Sequence, residues 1–323
     1  MLGMNDITGI CAMPITPTKE GGDRWDAVDT VPLDVTAKMT EDLVQARVGS
    51  FALCGTTGEG WGLSLDEKKA FIGTAIEANA HRVPIFAGAT ALGTRETIRE
   101  MRTFKDMGAE GAFIGLPLWQ TPTMENSVQF LADIAEAVPD MAIMVYANSR
   151  VFKWSFPTEF WEAIAKRVPS VIACKIAYGI EHLEDDVRVA GHQIRFMPND
   201  RAAGEAYRRV GDHLKAIWAT SVCMGPEPVV AFMDAILAHN DERVGEIDGM
   251  LKKLPPPIPE GKIGEFASYN AQSVKACAIA AGYIAAGPMR PPYHDLPKDW
   301  ADGAEARGKA WAKLREQFPT RSA

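Results

Sequence analysis

The sequence predicts a (β/α)8 TIM barrel, an α/β fold, followed by a helical C-terminal appendage. Short apolar runs alternate with amphipathic helical segments, and eight such strand–helix units fit into about 250 residues, the usual length of this barrel. A proline-rich stretch, residues 255–261, then breaks the alternation and leads into two further helical segments. We therefore divide the 323-residue chain into a barrel, 1–254, and a connector with C-terminal helices, 255–323.

The main alternative fold is an open, doubly wound parallel sheet. That fold usually places a Gly-x-Gly-x-x-Gly turn directly after its first strand. The sequence has no such turn after residues 7–15, so the barrel is favoured.

The individual elements follow from the spacing of apolar residues and from local stop signals. The predicted strands cover residues 7–15, 50–54, 84–89, 111–116, 142–148, 171–178, 194–198 and 214–220. The predicted helices cover 33–47, 65–80, 94–107, 124–137, 157–168, 182–189, 203–210 and 228–254, with 268–286 and 300–317 in the appendage. The helix at 65–80 has the clearest start, because Ser64 and Glu67 have the spacing of a capping box.

Composition argues against several classes of protein. The net charge of −8 disfavours a nucleic-acid partner, which would want a basic surface. The five cysteines are widely separated and lie mostly in apolar runs, as expected of reduced packing residues in a cytoplasmic protein. No Cys-x-x-Cys or His-Glu-x-x-His motif occurs, so no metal site is predicted. The N-terminus does not resemble a signal peptide, and no apolar run reaches membrane-spanning length.

Lys175 is the first candidate for chemistry, because it interrupts the apolar strand 171–178. Alternation puts Lys175 on the face opposite Ile172, Cys174 and Ile176, between two alanines. A lysine buried there would have a lowered pKa, and its neutral amine could form a Schiff base with a ketone. The alternative is a lysine near a strand end that extends to water.

Other candidate residues follow the strands, where a barrel carries its active site. The loop Gly55-Thr56-Thr57-Gly58-Glu59-Gly60 offers hydroxyls and backbone N–H groups that suit a carboxylate, although an ordinary glycine-rich turn explains it equally. Tyr146 could relay a proton and Asn148 could orient water, or Tyr146 could simply pack. Trp218 and Trp119 could wall an aromatic pocket or fill the barrel mouth.

At these residues the sequence resembles the dihydrodipicolinate synthase / N-acetylneuraminate lyase family of class I aldolases. The matching pieces are Gly55-Thr-Thr-Gly-Glu59, Tyr146 and Lys175, in the expected order. The resemblance implies that Lys175 forms the Schiff base and that Tyr146 is the general acid/base. It also implies that Thr56 and Thr57 bind the carboxylate of a pyruvate-like substrate, and that the protein is a tetramer.

Two departures argue against dihydrodipicolinate synthesis. Members that make dihydrodipicolinate carry Tyr-Asn-x-Pro-x-Arg on strand five, whereas this chain has Val151 at the arginine position and Arg150 one residue earlier. They also carry paired tyrosines where this chain has Leu118 and Trp119.

The Tyr-Ala-Asn sequence at 146–148, with Trp218 and Asn270, is instead similar to the hydratase-aldolases of polycyclic aromatic hydrocarbon degradation. That resemblance implies hydration and retro-aldol cleavage of trans-o-hydroxybenzylidenepyruvate or trans-2'-carboxybenzalpyruvate to pyruvate and an aromatic aldehyde. Water would be oriented by Asn148 or Asn270, and no metal or organic cofactor is expected.

The aryl pocket would be lined by Trp218 and Trp119, and a ring carboxylate would pair with Arg150 or Lys153. Two other functions remain open. One is a related lyase that cleaves a 4-hydroxy-2-keto acid, which would prefer polar substrates. The other is a 2-keto-acid binding protein without turnover, which the combination of Lys175, Tyr146 and the threonine loop disfavours.

Overall fold

The computed structural model describes residues 2–177 and 179–318, and its centre is a barrel of parallel strands. In chain order the strands are β1 (Gly9–Ala12), β2 (Ser50–Ala52), β3 (Ile85–Gly88), β4 (Gly111–Ile114), β5 (Ala142–Ala147), β6 (Val171–Ile176), β7 (Arg195–Met197) and β8 (Ala216–Ala219). Each strand from β1 to β6 pairs with the next one along the chain, and β1 also pairs with β8.

The gap between β7 and β8 is nearly closed. A parallel bridge joins Asn199 to Trp218, and the backbone N–H of Trp218 donates to the carbonyl oxygen of Pro198 at 3.0 Å. The predicted TIM barrel is therefore confirmed, and the open doubly wound sheet is wrong.

The helices alternate with the strands and cover the outside of the barrel. They are α1 (Leu33–Gln45), α2 (Leu65–Asn79), α3 (Thr94–Asp106), α4 (Met124–Ala137), α5 (Ser149–Phe152), α6 (Thr158–Arg167), α7 (Leu183–Ala190), α8 (Ala203–Val210), α9 (Glu227–Leu237), α10 (Asp241–Lys252), α11 (Phe266–Ala281) and α12 (Lys298–Arg315). The capping box of α2 is confirmed: the Glu67 N–H donates to Ser64 Oγ at 3.2 Å, and the Ser64 N–H donates to Glu67 Oε2 at 2.9 Å.

The single helix predicted at 228–254 is wrong, because the chain forms α9 and α10 there. His239 has a left-handed backbone with φ of 53°, which ends α9. Asn240 then caps α10, since its Oδ1 accepts the N–H of Arg243 at 3.1 Å. The short helix α5 was not predicted, because four residues are too few for a periodic pattern.

The alternation predicted for β6 is confirmed for the described residues, whereas Tyr178 lies outside them. Lys175 points into the barrel, where its Nζ is close to the rings of Tyr146 and Trp218. Cys174 lies towards α7, whose Asp186 adds to the effect of burial in raising the pKa of that thiol. Strand β6 therefore presents its lysine to the interior and its packing residues to the helices.

The C-terminal appendage packs on the barrel. The indole N–H of Trp311 in α12 donates to the carbonyl oxygen of Gly225, just before α9, at 2.9 Å. Gly287, after α11, has φ of +67°, and a Cβ there would lie 1.8 Å from the carbonyl oxygen of Thr18. Only glycine allows this close backbone approach. The division of the chain at residue 254 stays a prediction.

None of the helices in the described part of the chain combines the length and the apolar character needed to cross a membrane.

Candidate active site

A cavity of about 390 Å³ opens where the strands end and the following loops begin. Its wall includes Thr56 after β2, Tyr146 on β5, Lys175 on β6 and Trp218 on β8. The appendage completes the wall with residues of α11 and α12. The cavity therefore lies at the end of the barrel where TIM-barrel enzymes place their chemistry.

Lys175 lies at the centre of this cavity and is only 4% exposed. Its Nζ is 4.2 Å from the ring centroid of Tyr146 and 4.2 Å from that of Trp218, with Phe113 at 5.8 Å. Burial lowers the pKa of Lys175, and interactions with Tyr146 and Cys11 oppose that shift in part. The alternative in which Lys175 extends to bulk water is therefore wrong. A larger share of neutral, nucleophilic amine is available than on a surface lysine.

Tyr146 lies directly opposite Lys175 in the β5–β6 pairing. Its hydroxyl group is 3.0 Å from Thr56 Oγ1 and accepts a hydrogen bond of 2.9 Å from Asn148 Nδ2. Its ring stacks on Phe113 with a centroid separation of 4.9 Å. The phenol is thus held between a hydroxyl and an amide, beside the amine, which is a suitable arrangement for moving a proton to or from a substrate.

Asn148 has both ends of its amide engaged. Its Oδ1 accepts the N–H groups of Arg150 and Val151, each at 3.1 Å, and so caps α5. Its Nδ2 donates to Tyr146. These bonds favour a role in orienting Tyr146 over the predicted contact with water.

The loop after β2 has the features of an anion-binding turn. Cys54 and Glu59 both adopt left-handed backbone conformations, with φ of 56° and 55°. The loop is closed by the N–H of Gly60, which donates to the carbonyl oxygen of Gly55 at 3.1 Å. Thr56 and Thr57 line the cavity, and among the described residues no acceptor bonds to their backbone N–H groups. Two backbone N–H groups and the Thr57 hydroxyl are therefore available to a carboxylate, beside the Thr56 hydroxyl that contacts Tyr146.

Gly55 does not line the cavity, but it makes room for the site. A Cβ at Gly55 would approach Phe113 Cε1 to 3.1 Å, and Phe113 is the ring on which Tyr146 stacks. A side chain at Gly55 would therefore press on the packing that holds the tyrosine.

Three further predicted residues lie in the cavity wall: Trp218, Asn270 and Arg150. Trp218 is fixed by its indole N–H, which donates to the carbonyl oxygen of Ile176 at 2.7 Å. Arg150 lies near the mouth, with its guanidinium 5.6 Å from the ring centroid of Phe266. Asn270, on α11, is half-buried, and no hydrogen bond joins its side chain to the rest of the described chain.

The structure does not bring Trp119 to this cavity. Trp119 is 82% exposed in the loop after β4 and is absent from the cavity wall, so the prediction that it lines the aryl pocket of this chain is corrected. The preceding residue, Leu118, is also exposed, at 41%. Lys153, which ends α5 in a left-handed conformation, is likewise outside the wall.

A buried network that was not predicted from the sequence supports the loop. Glu59 is fully buried, and its Oε1 lies 2.5 Å from Lys275 Nζ, while its Oε2 lies 3.2 Å from Arg290 Nη1. Lys275 also donates to Thr18 Oγ1 at 2.6 Å, and burial lowers its pKa to about 8. One indication of this network was present in the sequence, because Lys275 interrupts the apolar residues of α11.

Among the described residues, no three histidine, cysteine, aspartate or glutamate side chains gather closely enough to hold a metal ion.

Comparisons with known proteins show which family the chain belongs to. The profile of the Dihydrodipicolinate synthetase family matches residues 6–308. The trans-O-hydroxybenzylidenepyruvate hydratase-aldolase of Pseudomonas aeruginosa is 36% identical over 322 residues, covering 98% of this chain and 96% of that protein. The trans-2'-carboxybenzalpyruvate hydratase-aldolase of Nocardioides sp. (strain KP7) is 34% identical, covering 97% of this chain and 95% of that protein.

Among solved structures, that of PhdJ bound to a substrate intermediate superposes with a TM-score of 0.95 and 33% identity. The match covers 98% of this chain and 99% of that one. The resemblance predicted from the loop at 55–59, Tyr146 and Lys175 is thereby confirmed, and the chain belongs to the dihydrodipicolinate synthetase family.

Proposed function

We propose that this protein is a class I hydratase-aldolase, a lyase that adds water to a benzylidenepyruvate and cleaves the product to pyruvate and an aromatic aldehyde. The observation that carries the proposal is the buried amine of Lys175, 4.2 Å from the ring centroids of both Tyr146 and Trp218. The same cavity contains Thr56 and Thr57. A 2-keto acid whose carboxylate binds these threonines would present its ketone to the amine. The names of the relatives favour an aromatic substrate.

The first half of the reaction makes the substrate electrophilic. The Lys175 amine attacks the C2 ketone, and loss of one water leaves an iminium conjugated with the alkene. The positive nitrogen draws electrons from the benzylic carbon, so water adds there while a proton is delivered to C3. Because the amide of Asn148 is engaged by Tyr146 and α5, we assign the orientation of this water to Asn270.

The second half breaks the carbon–carbon bond. Tyr146 takes the proton of the new hydroxyl group, the bond between C3 and C4 breaks, and the iminium accepts the electron pair as an enamine. The aromatic aldehyde leaves. Protonation of the enamine at C3 and hydrolysis of the iminium release pyruvate and restore the free amine. The net reaction consumes one water.

The cavity wall favours an aromatic group over a sugar acid. Trp218 lies beside the amine, and the α11 residues Phe266 and Val274 add further apolar surface. A polyhydroxylated substrate would place hydroxyl groups against this apolar surface. We therefore rank a sugar-acid lyase below a hydratase-aldolase.

Borohydride trapping tests the amine mechanism. Incubation with pyruvate and borohydride, followed by peptide mass spectrometry, is expected to place a reduced pyruvate adduct on the peptide that contains Lys175. Lys175→Met should abolish the adduct, whereas Lys309→Met, on exposed helix surface, should not. A folded, pyruvate-saturated enzyme without an adduct on Lys175 would exclude the Schiff base and favour a binding protein.

A substrate panel tests the reaction. We expect cleavage of benzylidenepyruvates, followed by release of the aromatic aldehyde, and little cleavage of aliphatic 4-hydroxy-2-keto acids. The reverse preference would replace the hydratase-aldolase by another lyase of the family. We also propose that the reaction serves aromatic hydrocarbon degradation in the cytoplasm and that the protein is a homotetramer, a state that light scattering would measure.

A further inference from the structure

The part of the cavity wall that includes the β7–α8 loop and α12 holds two arginines, Arg201 and Arg307. Arg307 is only 5% exposed, yet it lines the cavity. Among residues 2–177 and 179–318, no hydrogen-bond acceptor or carboxylate lies within bonding distance of its guanidinium, which lies 5.5 Å from the ring centroid of Trp311. A buried guanidinium that borders a cavity without an acceptor is costly for folding, which indicates a ligand rather than a structural role.

The charge of Arg307 persists at neutral pH. Burial, with a further contribution from Arg201, lowers the pKa of Arg307 to about 10, which still leaves the group protonated. The carboxylate of Asp200 offsets part of this charge, but its Oδ2 accepts a hydrogen bond from the hydroxyl of Ser221. Two arginines against one aspartate leave this part of the wall net positive.

The two arginines come from the β7–α8 loop and α12, whereas Thr56 and Thr57 follow β2 in the wall of the same cavity. The positive part of the wall adjoins Asn199, which bridges to Trp218, the residue beside Lys175. A substrate that is bound through its pyruvoyl end at the threonines and stacked near Trp218 can therefore carry a second group towards Arg307.

We propose that Arg307 is a specificity-determining residue that binds a carboxylate on the aromatic ring, so that the substrate is of the 2'-carboxybenzalpyruvate class rather than the 2-hydroxybenzylidene class. This inference rests on the proposed function. A carboxylate accepts two parallel hydrogen bonds from a guanidinium and neutralises its charge, whereas a phenolic hydroxyl does neither. Arg201, more exposed on the same wall, adds long-range attraction.

The kinetic test compares the two substrate classes in three variants. In Arg307→Met, kcat/KM for trans-2'-carboxybenzalpyruvate should fall about 100-fold, as expected when a buried charge partner is removed. For trans-o-hydroxybenzylidenepyruvate it should change by less than about threefold. For the carboxylated substrate, kcat/KM of Arg307→Lys should lie between that of wild type and that of Arg307→Met. Lys309→Gln removes a positive charge from the exposed side of the same helix and should change kcat/KM for neither substrate.

A parallel variant distinguishes Arg307 from Arg150, which the sequence predicts to pair with a ring carboxylate. If Arg150→Gln selectively loses the carboxylated substrate while Arg307→Met does not, the assignment to Arg307 is overturned. Equal loss of both substrates in Arg307→Met, without loss of fold, would also overturn it. A melting temperature of Arg307→Met equal to or above that of wild type supports a ligand-binding role, because a structural arginine would destabilise the fold when removed.

A binding measurement separates this inference from the proposed reaction. Calorimetry of the wild-type enzyme, saturated with pyruvate to fill the threonine loop, should show benzoate binding more tightly than benzamide. Arg307→Met should lose that preference. If wild type cleaves neither substrate but shows the preference, the reaction is wrong and the anion site stands. If it cleaves benzylidenepyruvates but shows no preference, the anion site is wrong and the reaction stands.

Discussion

Glu59 and Lys275 form an ion pair of 2.5 Å across 216 residues of sequence, one at the end of the carboxylate loop and the other in α11. Arg290, also in the appendage, donates both its backbone N–H and its guanidinium to the second oxygen of Glu59, at 3.1 and 3.2 Å. Thr16 Oγ1 holds the same loop through the Gly58 carbonyl oxygen at 2.6 Å. The appendage thus holds the loop that carries Thr56 and Thr57. Its bonds are made to Glu59 and not to the threonines themselves.

Neutralising Glu59 should damage stability more than neutralising Lys275. Glu59→Gln leaves Lys275 and Arg290 buried together without a counter-charge, and we expect a loss of about 3–5 kcal/mol in the free energy of unfolding. Lys275→Met leaves Glu59 paired with Arg290, so the loss should be smaller, about 1–3 kcal/mol. Urea denaturation measures both, with Lys309→Met as an exposed control that should not change. An equal effect of the two buried variants would contradict this account.

The parts of the molecule that could be predicted from sequence are those with a local period. The strand and helix alternation is local, and Lys175 and Tyr146 were identifiable because each breaks an otherwise apolar strand. The partners of Glu59 could not be predicted, because pairing across 216 residues leaves no local pattern. The exposure of Trp119 could not be predicted for a related reason: it lies in the loop after β4, where strand alternation does not apply. Arg307 looked like any polar residue of an amphipathic helix.

Lys175 should make the stability of the fold depend on pH in the alkaline range. Its pKa is lowered by burial, so the unfolded chain, with a pKa of 10.5, binds more protons than the folded one between the folded pKa and 10.5. Below the pKa of Lys175 in the folded protein, the fold bears the full cost of burying the charged amine. This cost falls as the pH rises towards 10.5. We therefore expect Lys175→Met to be more stable than wild type at neutral pH, with the difference shrinking as pH approaches 10.5. Thermal unfolding as a function of pH measures this difference, and a constant difference would show that the lysine carries no pKa shift.

The same shift should appear in reactivity. Because the neutral amine reacts, the rate of borohydride-trapped adduct formation with pyruvate on Lys175 should rise with pH and level off below 10.5, the value of an ordinary lysine amine. Peptide mass spectrometry follows the adduct on the Lys175 peptide as a function of pH. A rate that keeps rising up to 10.5 would show that burial does not activate Lys175.

Tyr146→Phe should separate proton transfer from packing. The phenylalanine keeps the stacking on Phe113 but loses the hydroxyl between Thr56 and Asn148, so the fold should persist. We expect kcat to fall about 10²–10⁴-fold, the usual contribution of a general acid/base. Asn148→Ala should lower kcat less, and should also cost about 1 kcal/mol of stability through loss of the α5 cap. Steady-state kinetics and thermal unfolding distinguish the two, and wild-type turnover in Tyr146→Phe would move the proton transfer to another group.

Trp218 and Trp119 should behave differently when truncated. The ring centroid of Trp218 lies 4.2 Å from Lys175 Nζ, and the indole N–H is fixed by its bond to the Ile176 carbonyl oxygen. Trp218→Ala should therefore lower kcat/KM for benzylidenepyruvates by about 10–100-fold, because the aromatic contact is lost. Trp218→Phe keeps the ring surface but loses the hydrogen bond, and its effect should be intermediate.

Trp119→Ala should leave kcat/KM within about twofold of wild type, because the side chain is 82% exposed and outside the cavity wall. The comparison is made on one substrate, at several protein concentrations, with light scattering of each sample. A large loss in Trp119→Ala that is confined to the oligomeric samples would mean that a second copy of the chain inserts this tryptophan into the cavity. A large loss that is independent of the oligomeric state would instead show that the loop after β4 closes on its own site when substrate binds.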